Sequence, residues 1–172
     1  WGLVRTAKIP PPLSNKSYVA TEGDILIATR SGGYSLADTL LGVPKGTERD
    51  VFRLVDQRLL DRANSYAGNY GWQMFRYDDK GFTFLNVPDT PSSVYTQLVV
   101  NNLSGAWCAF QGLNGVSWCT FNDKPYFGST DGKIYEYDYS TIDGEDPISF
   151  DIKTAFNFLG SREVRKRFLG IK

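Results

Sequence analysis

The sequence has no histidine, only two cysteines and a single methionine. Histidine is the most common general base and a common neutral metal ligand, so its absence narrows the possible catalytic and metal-binding chemistry. Cys108 and Cys119 alone cannot form a closed structural zinc site, which needs four ligands. Two cysteines in 172 residues are also far below the density of a secreted disulfide scaffold. We therefore expect both thiols to be buried and to pack as small hydrophobic groups.

The sequence also lacks the patterns that mark membrane proteins and the common enzyme classes. No apolar run approaches the roughly 18–20 residues that span a bilayer, and no signal-peptide pattern opens the chain. The 19 lysines and arginines equal the 19 aspartates and glutamates, so overall charge favours neither nucleic acid nor membrane. No phosphate-binding glycine loop is present, and no motif sets a nucleophile beside a base. We expect no catalytic residue, no bound metal and no cofactor, and predict that the protein is not an enzyme.

The residues that are abundant point to short strands and tight turns. Aromatic side chains make up 15% of the chain, and 17 glycines add frequent chain reversals, a composition that favours an all-β protein. Turn signals such as Asp-Gly and Ser-Gly separate the aromatic runs. Candidate strands are 17–20, 25–29, 34–37, 72–77, 82–87, 94–100, 106–110, 116–121, 126–128, 133–138 and 148–158.

One helix is predicted, over residues 48–63. Thr47 precedes it and Asp50 follows three residues later, an arrangement close to a capping box. Apolar residues at helical spacing form one stripe along it. These residues are Val51, Leu54, Val55, Leu59 and Ala63.

A motif of the form Trp-x-x-Phe occurs at 72–75 and again at 118–121. Each copy begins a run of four candidate strands within about 40–45 residues, which is the period of a β-propeller blade. Residues three apart on a strand point to opposite faces, so the motif predicts a sheet that is buried on both sides. We predict a partial β-propeller of antiparallel four-stranded sheets with one helix. The spans are an extended arm (1–16), a partial blade with the helix (17–71), two blade-like sheets (72–112 and 113–160) and a basic exit segment (161–172).

The stretch from 105 to 121 contains Trp-Cys-x-Phe twice, at 107–110 and 118–121. In the propeller interpretation it crosses from the last strand of one blade to the first strand of the next, and its aromatic residues serve packing. About two and a half blades are present, whereas a closed propeller needs four or more. Because the chain also opens on Trp1, we expect it to be part of a longer protein.

The end of the chain is the one region of unbalanced charge. Residues 161–172 carry five basic side chains against Glu163, a net charge of +4 (5 − 1), so the rest of the chain carries −4. The candidate contact residues are Arg162, Arg165, Lys166 and Arg167. They could contact DNA phosphates or an acidic neighbouring subunit, or form a solvated linker.

Several short stretches together resemble a known family. They are Tyr70-Gly71-Trp72-Gln73, Asn86-Val87-Pro88, the run from Asn102 to Asn114 that includes Gly-Ala-Trp-Cys-Ala-Phe, Trp118, Tyr126-Phe127-Gly128 and Asp131-Gly132. Over residues 48–168 the chain resembles virion structural proteins of tailed bacteriophages, such as the tail hub or nozzle proteins of short-tailed phages. It departs from that pattern at Ser104, where threonine is expected, and at Pro125, where an aliphatic residue is usual.

The resemblance implies a passive, propeller-like part of the tail conduit through which DNA leaves the particle. The protein would form a ring of its own copies, expected to be a hexamer, around the DNA channel. Its neighbours would be a portal or adaptor protein on one side and fibres or a needle on the other. It would reside in the virion tail after assembly in the host cytoplasm, and the family carries over no catalytic residue.

Two other functions remain open from the residues. A carbohydrate-binding or carbohydrate-cleaving propeller or sandwich would need an aromatic platform and, for cleavage, two facing carboxylates. An all-β interaction module is what remains if the resemblance is discounted. A cleft with facing carboxylates under aromatic rings favours the carbohydrate function, whereas an exposed, self-complementary strand edge favours assembly.

Overall fold

The described part of the chain consists mostly of antiparallel β-strands, with two short α-helices. The computed structural model describes residues 6–47, 50–89, 94–138, 140, 142–143 and 146–147. Residues 1–139 form one compact unit and residues 140–172 form another. The expected antiparallel, mostly β class is confirmed, whereas the expectation of a single helix is wrong.

The chain begins with a three-stranded antiparallel meander. Its strands are β1 (Tyr18–Thr21), β2 (Asp24–Thr29) and β3 (Gly32–Ser35). Helix α1 (Leu36–Leu41) follows β3 directly, in a place where the sequence predicted a strand to residue 37. Ser35 caps this helix by accepting a hydrogen bond from the Asp38 backbone N–H, and Gly42 ends it in the left-handed conformation.

Helix α2 (Asp56–Tyr66) begins later than the predicted 48–63. The Asp50 carboxylate accepts hydrogen bonds from the backbone N–H groups of Gly46 and Phe52, so it stabilises a turn and not a helix start. The predicted apolar stripe is therefore only partly buried. Val55, Leu59 and Ala63 face the core, while Leu54 is 67% exposed.

A four-stranded sheet occupies the centre of the first unit. Its strands, in spatial order, are β4 (Gln73–Tyr77), β5 (Phe82–Pro88), β6 (Tyr95–Asn101) and β7 (Trp107–Phe110), each antiparallel to the next. A 3-10 turn, Asp78–Lys80, joins β4 to β5. These strands lie within a residue or two of those that the sequence predicted, because aromatic runs and turn residues alternate clearly here.

A second, three-stranded sheet follows. It contains β8 (Gly115–Phe121), β9 (Lys124–Ser129) and β10 (Ile134–Glu136), in the order β8-β9-β10. The fourth strand predicted for it, 148–158, lies outside the described residues. In the second unit, β11 (Ile142–Asp143) and β12 (Asp146–Pro147) form a small hairpin in a stretch that the sequence predicted as a loop. The described sheets are open, and their strands do not close into a barrel or propeller.

The central sheet carries a separate hydrophobic core on each face. Trp72 belongs to the core shared with α2 and the meander, whereas Phe75 belongs to the core shared with β8 and β9. The prediction that Trp-x-x-Phe loads both faces is thus confirmed for 72–75. It is wrong for 118–121, because Trp118 is buried but Phe121 is 64% exposed. Cys119, two residues earlier on the same face of β8, is exposed as well.

Candidate functional site

Three amide side chains form a row across the central sheet. Gln73 on β4 is directly opposite Asn86 on β5, which is opposite Gln97 on β6. Directly opposed residues point to the same face, so all three amides project toward the second sheet. All three are buried.

The amide row binds backbone groups between Leu113 and Trp118, where the chain enters the second sheet, and the carbonyl of Gly71 just before β4. Gln73 donates to the Trp118 carbonyl at 2.6 Å and accepts from the Trp118 N–H at 3.0 Å. Asn86 Nδ2 donates to the carbonyls of Gly71 and Gly115 at 2.8 and 2.9 Å. Gln97 Nε2 donates to Asn86 Oδ1 and to the Leu113 carbonyl, both at 2.9 Å. Neutral amides supply no acid or base, so the row positions one sheet against the other.

Sequence reasoning missed this row, although it noted Gln73 and Asn86 for another reason. A partial signal was present, because each of the three strands carries an amide next to apolar residues, although β6 has a second amide, Asn101, that does not belong to the row. A buried amide side chain needs hydrogen-bond partners. Where the neighbouring side chains on its strand are apolar, those partners must come from another segment that packs beside the strand.

The outer edge of β7 is the second notable feature. The Asn101 N–H donates to the Ala106 carbonyl at 3.0 Å, which fixes the phase of the β6–β7 ladder. Hydrogen-bonded and non-hydrogen-bonded pairs alternate along an antiparallel ladder. Cys108 and Phe110 therefore bond to β6, while the N–H and C=O groups of Trp107 and Ala109 point away from it. No described strand pairs with this edge.

The side chains of β7 are anchored to the two faces of the sheet. The Trp107 indole N–H donates to the Val51 carbonyl at 2.8 Å, and its ring lies 5.7 Å from that of Phe52. The Phe110 ring contacts Phe84 edge-on at 5.9 Å. The strand is thus held in place from both sides while its backbone edge stays open.

The β7 edge lacks the features by which edge strands usually avoid pairing with other chains. Residues 105–112 contain no charged residue and no proline. The edges of β4 and β3 are partly covered. The Met74 N–H on β4 donates to the Lys16 carbonyl at 2.8 Å, and the Gly33 N–H on β3 donates to the Asp56 carboxylate at 2.9 Å.

Both cysteines are free thiols, and both are exposed, so the prediction that they are buried is wrong. Cys108 lies on the open edge strand, where no further strand covers it. Cys119 follows the buried Trp118, and alternation along β8 turns its side chain outward. The Cys108 sulfur packs 3.7 Å from the Val99 carbonyl, and this partial burial raises the pKa of its thiol.

The acidic turns do not form a metal site in the described residues. No group of three or more cysteine, aspartate or glutamate side chains there could hold a metal ion. Asp131 accepts hydrogen bonds from the Tyr135 hydroxyl at 2.7 Å and the Lys133 N–H at 3.1 Å, and these bonds lower its pKa. The predicted contact residues Arg162, Arg165, Lys166 and Arg167 lie outside the described residues.

A cavity of about 730 Å³ opens between the β1–β2 hairpin and the turns at 76–81 and 100–105. Its carboxylates are those of Glu22, Asp24 and Asp78. The Asp24 carboxylate accepts hydrogen bonds from the backbone N–H groups of residues 25 and 37 and from the Ser35 hydroxyl. Asp78 pairs with Arg76 at 2.7 Å. None of the residues that line the cavity is aromatic.

Neither helix in the described part of the chain has the length and apolar character that crossing a bilayer requires.

Two features distinguish this fold: an amide row that joins two sheets and an open, uncharged strand edge. Comparison with protein-family models, curated proteins and solved structures finds no match for the chain.

Proposed function

We propose that the chain is a structural component of a bacteriophage tail, of the hub or nozzle type, that acts by assembly and not by catalysis. The observation that carries this proposal is the open edge of β7. An apolar, uncharged edge with unpaired backbone groups favours association with another strand. The resemblance at residues 102–114 falls on this same segment.

We also propose that the central sheet is one blade of a propeller. Three of its four antiparallel strands, β4 to β6, are buried on both faces, as the strands of stacked blades are. The outer face of the β8-β9-β10 sheet carries Phe121 (64% exposed) and Ile134 (78% exposed), which a further blade would cover. In this proposal the blades belong to a longer chain, copies of which form a ring around the DNA channel.

The carbohydrate alternative has less support from the described residues. Three carboxylates line the 730 Å³ cavity, but Asp24 and Asp78 are already engaged, which leaves Glu22 without a second free carboxylate to face it, and no aromatic ring lines the cavity. The carbohydrate site considered from the sequence requires an aromatic surface on which a sugar ring can stack.

The test determines whether the native protein is part of virus particles, and the mass of the native chain. Cells that carry the encoding gene are induced, and virus particles are separated from soluble protein on a density gradient. Peptides of this sequence are then quantified by mass spectrometry in both fractions, together with the mass of the intact chain that contains them.

We expect the peptides in the particle fraction, in a chain longer than 172 residues, and antibody label at the tail in electron micrographs. A major capsid protein serves as the positive control and a host cytoplasmic enzyme as the negative control. Peptides confined to the soluble fraction would refute the tail assignment.

A further inference from the structure

We propose that β7 pairs with β7 of a second copy of this chain, antiparallel and centred on Cys108, so that the two central sheets become one continuous sheet. This inference rests on the proposed assembly function and names the partner of the same edge. It requires only residues 107–110, which the structure describes in full.

The phase of the ladder determines which residues can pair. Because Trp107 and Ala109 present their N–H and C=O groups outward, each can exchange two hydrogen bonds with an outward residue of the partner. Placing Trp107 opposite the partner's Ala109, and Ala109 opposite the partner's Trp107, satisfies both residues on both strands. In this register Trp107, Cys108 and Ala109 each lie opposite a β7 residue of the partner, whereas shifting it by two residues in either direction leaves one of the two outward residues opposite a residue outside β7.

The side chains fit the same register. Opposed residues share a face, so each Trp107 ring would lie beside the small Ala109 of the partner. No charge is brought together, because residues 105–112 carry none. The contact is isologous, with the same patch used by both copies, as in most homodimers. Copies would therefore join in pairs, and a ring built from such pairs contains an even number of copies.

Cys108 lies on the two-fold axis of this pairing and so reports on it. Its own backbone groups bond to β6, which makes the Cys108–Cys108 pair a non-hydrogen-bonded one, with α-carbons about 4.5 Å apart. That distance is within the range that a disulfide accepts. Cys119 is on β8, away from the two-fold axis of this pairing, and provides an internal control.

The first experiment measures the mass of the purified 172-residue chain by light scattering and analytical ultracentrifugation across a concentration series. Ala109→Pro removes the outward N–H without removing a donor from the β6–β7 ladder. Ala109→Lys places a charge at the edge and keeps the N–H. Ala109→Val keeps both the N–H and an apolar side chain, and is the matched control. Thermal unfolding of each variant checks that it folds.

We expect the wild-type chain and Ala109→Val to form dimers, with at least tenfold weaker association for Ala109→Pro and Ala109→Lys. If Ala109→Pro does not fold, Ala109→Lys alone decides. A wild-type chain that remains monomeric at about 100 μM, where even weak dimers are populated, overturns the proposal. So does unchanged association in the folded edge variants.

The second experiment traps the pair chemically. Diamide accepts the two protons and two electrons that two thiols release when their S–H bonds break and one S–S bond forms. We expect rapid covalent dimers for the wild type and Cys119→Ser, and none for Cys108→Ser. Cross-linking that depends on Cys119 would overturn the proposed register.

The outcomes separate this inference from the proposed function. A chain found in tails but neither dimeric nor cross-linked through Cys108 refutes the β7 pairing alone. A chain that dimerises through β7 but is absent from particles refutes the tail assignment alone.

Discussion

At the scale of single residues, the side chain of Gln73 makes the two hydrogen bonds that a neighbouring strand's backbone would otherwise make. Its amide donates to and accepts from the two backbone groups of Trp118, in the pattern by which one residue pairs with another across a ladder. Both Gln73 and Trp118 are nearly inaccessible to solvent. Water therefore cannot replace the amide, and the backbone groups of Trp118 depend on it.

Replacing Gln73 by alanine should lower the free energy of unfolding by about 2–5 kcal/mol, because it leaves a buried donor and a buried acceptor without partners. Urea denaturation followed by tryptophan fluorescence measures the change. Gln57→Ala is the control, since that amide is exposed and donates to the exposed Asp61 carboxylate on the same helix. Equal effects of the two substitutions would contradict the role of the amide row.

Gly33 is required for a different reason, which is space. A β-carbon added at this position would lie 2.1 Å from the ring of Phe52, which is completely buried. We expect Gly33→Ala to cost about 3 kcal/mol or more, at the upper end for overpacked cores.

Gly68→Ala provides the matched control, because nothing lies within 4 Å of a β-carbon there. Thermal unfolding of both variants makes the comparison. Adding Phe52→Leu to Gly33→Ala should recover part of the loss, since the smaller side chain yields the space. A Gly33→Ala variant as stable as the wild type would show that Phe52 can move aside.

At the scale of elements, the sequence predicted strands better than helices. Turn residues such as Asp79, Lys80 and Gly81 separate the aromatic runs of β4 and β5, so both strands could be predicted nearly to the residue. The start of α2 could not be predicted as closely, because an aspartate such as Asp50 is as suitable for a turn as for a helix cap. Helix α1 was missed because six residues are too few to show a helical period, although Ser35 and Gly42 were potential cap signals.

The corrected start of α2 has an energetic consequence. Leu59 is completely buried, whereas Leu54, which the sequence placed on the same stripe, is 67% exposed. We expect Leu59→Ala to lower the free energy of unfolding by about 2–5 kcal/mol and Leu54→Ala by less than about 0.5 kcal/mol. Chemical denaturation distinguishes the two, and similar losses at both positions would instead favour the helix over 48–63.

At the scale of the whole molecule, the sequence indicated a sheet covered on both faces but not what covers it. Trp72 and Phe75 predicted two buried faces, and the cores on either side agree with this. The link between Gln73 and Trp118 spans 45 residues, and no local pattern encodes such a distance. For the same reason the exposure of Phe121 could not be predicted from the sequence, because it depends on whether another sheet lies against β8.

Amide exchange should reveal both the folding core and the assembly edge. β5 is paired on both sides along most of its length, so its amides should exchange only through global unfolding. In dilute protein, the outward amides of Trp107 and Ala109 should exchange rapidly, while those of Cys108 and Phe110, bonded to β6, are already protected.

Raising the protein concentration should slow exchange at Trp107 and Ala109 by at least about tenfold, equivalent to about 1.4 kcal/mol, because pairing with a second β7 occupies those groups. Exchange resolved by NMR at two concentrations measures this, with the inward amides of Cys108 and Phe110 as the reference within the same strand. If slowing spreads evenly along β7, general stabilisation explains it. If it falls only on the alternate, outward residues, a strand has been added at the edge of the sheet.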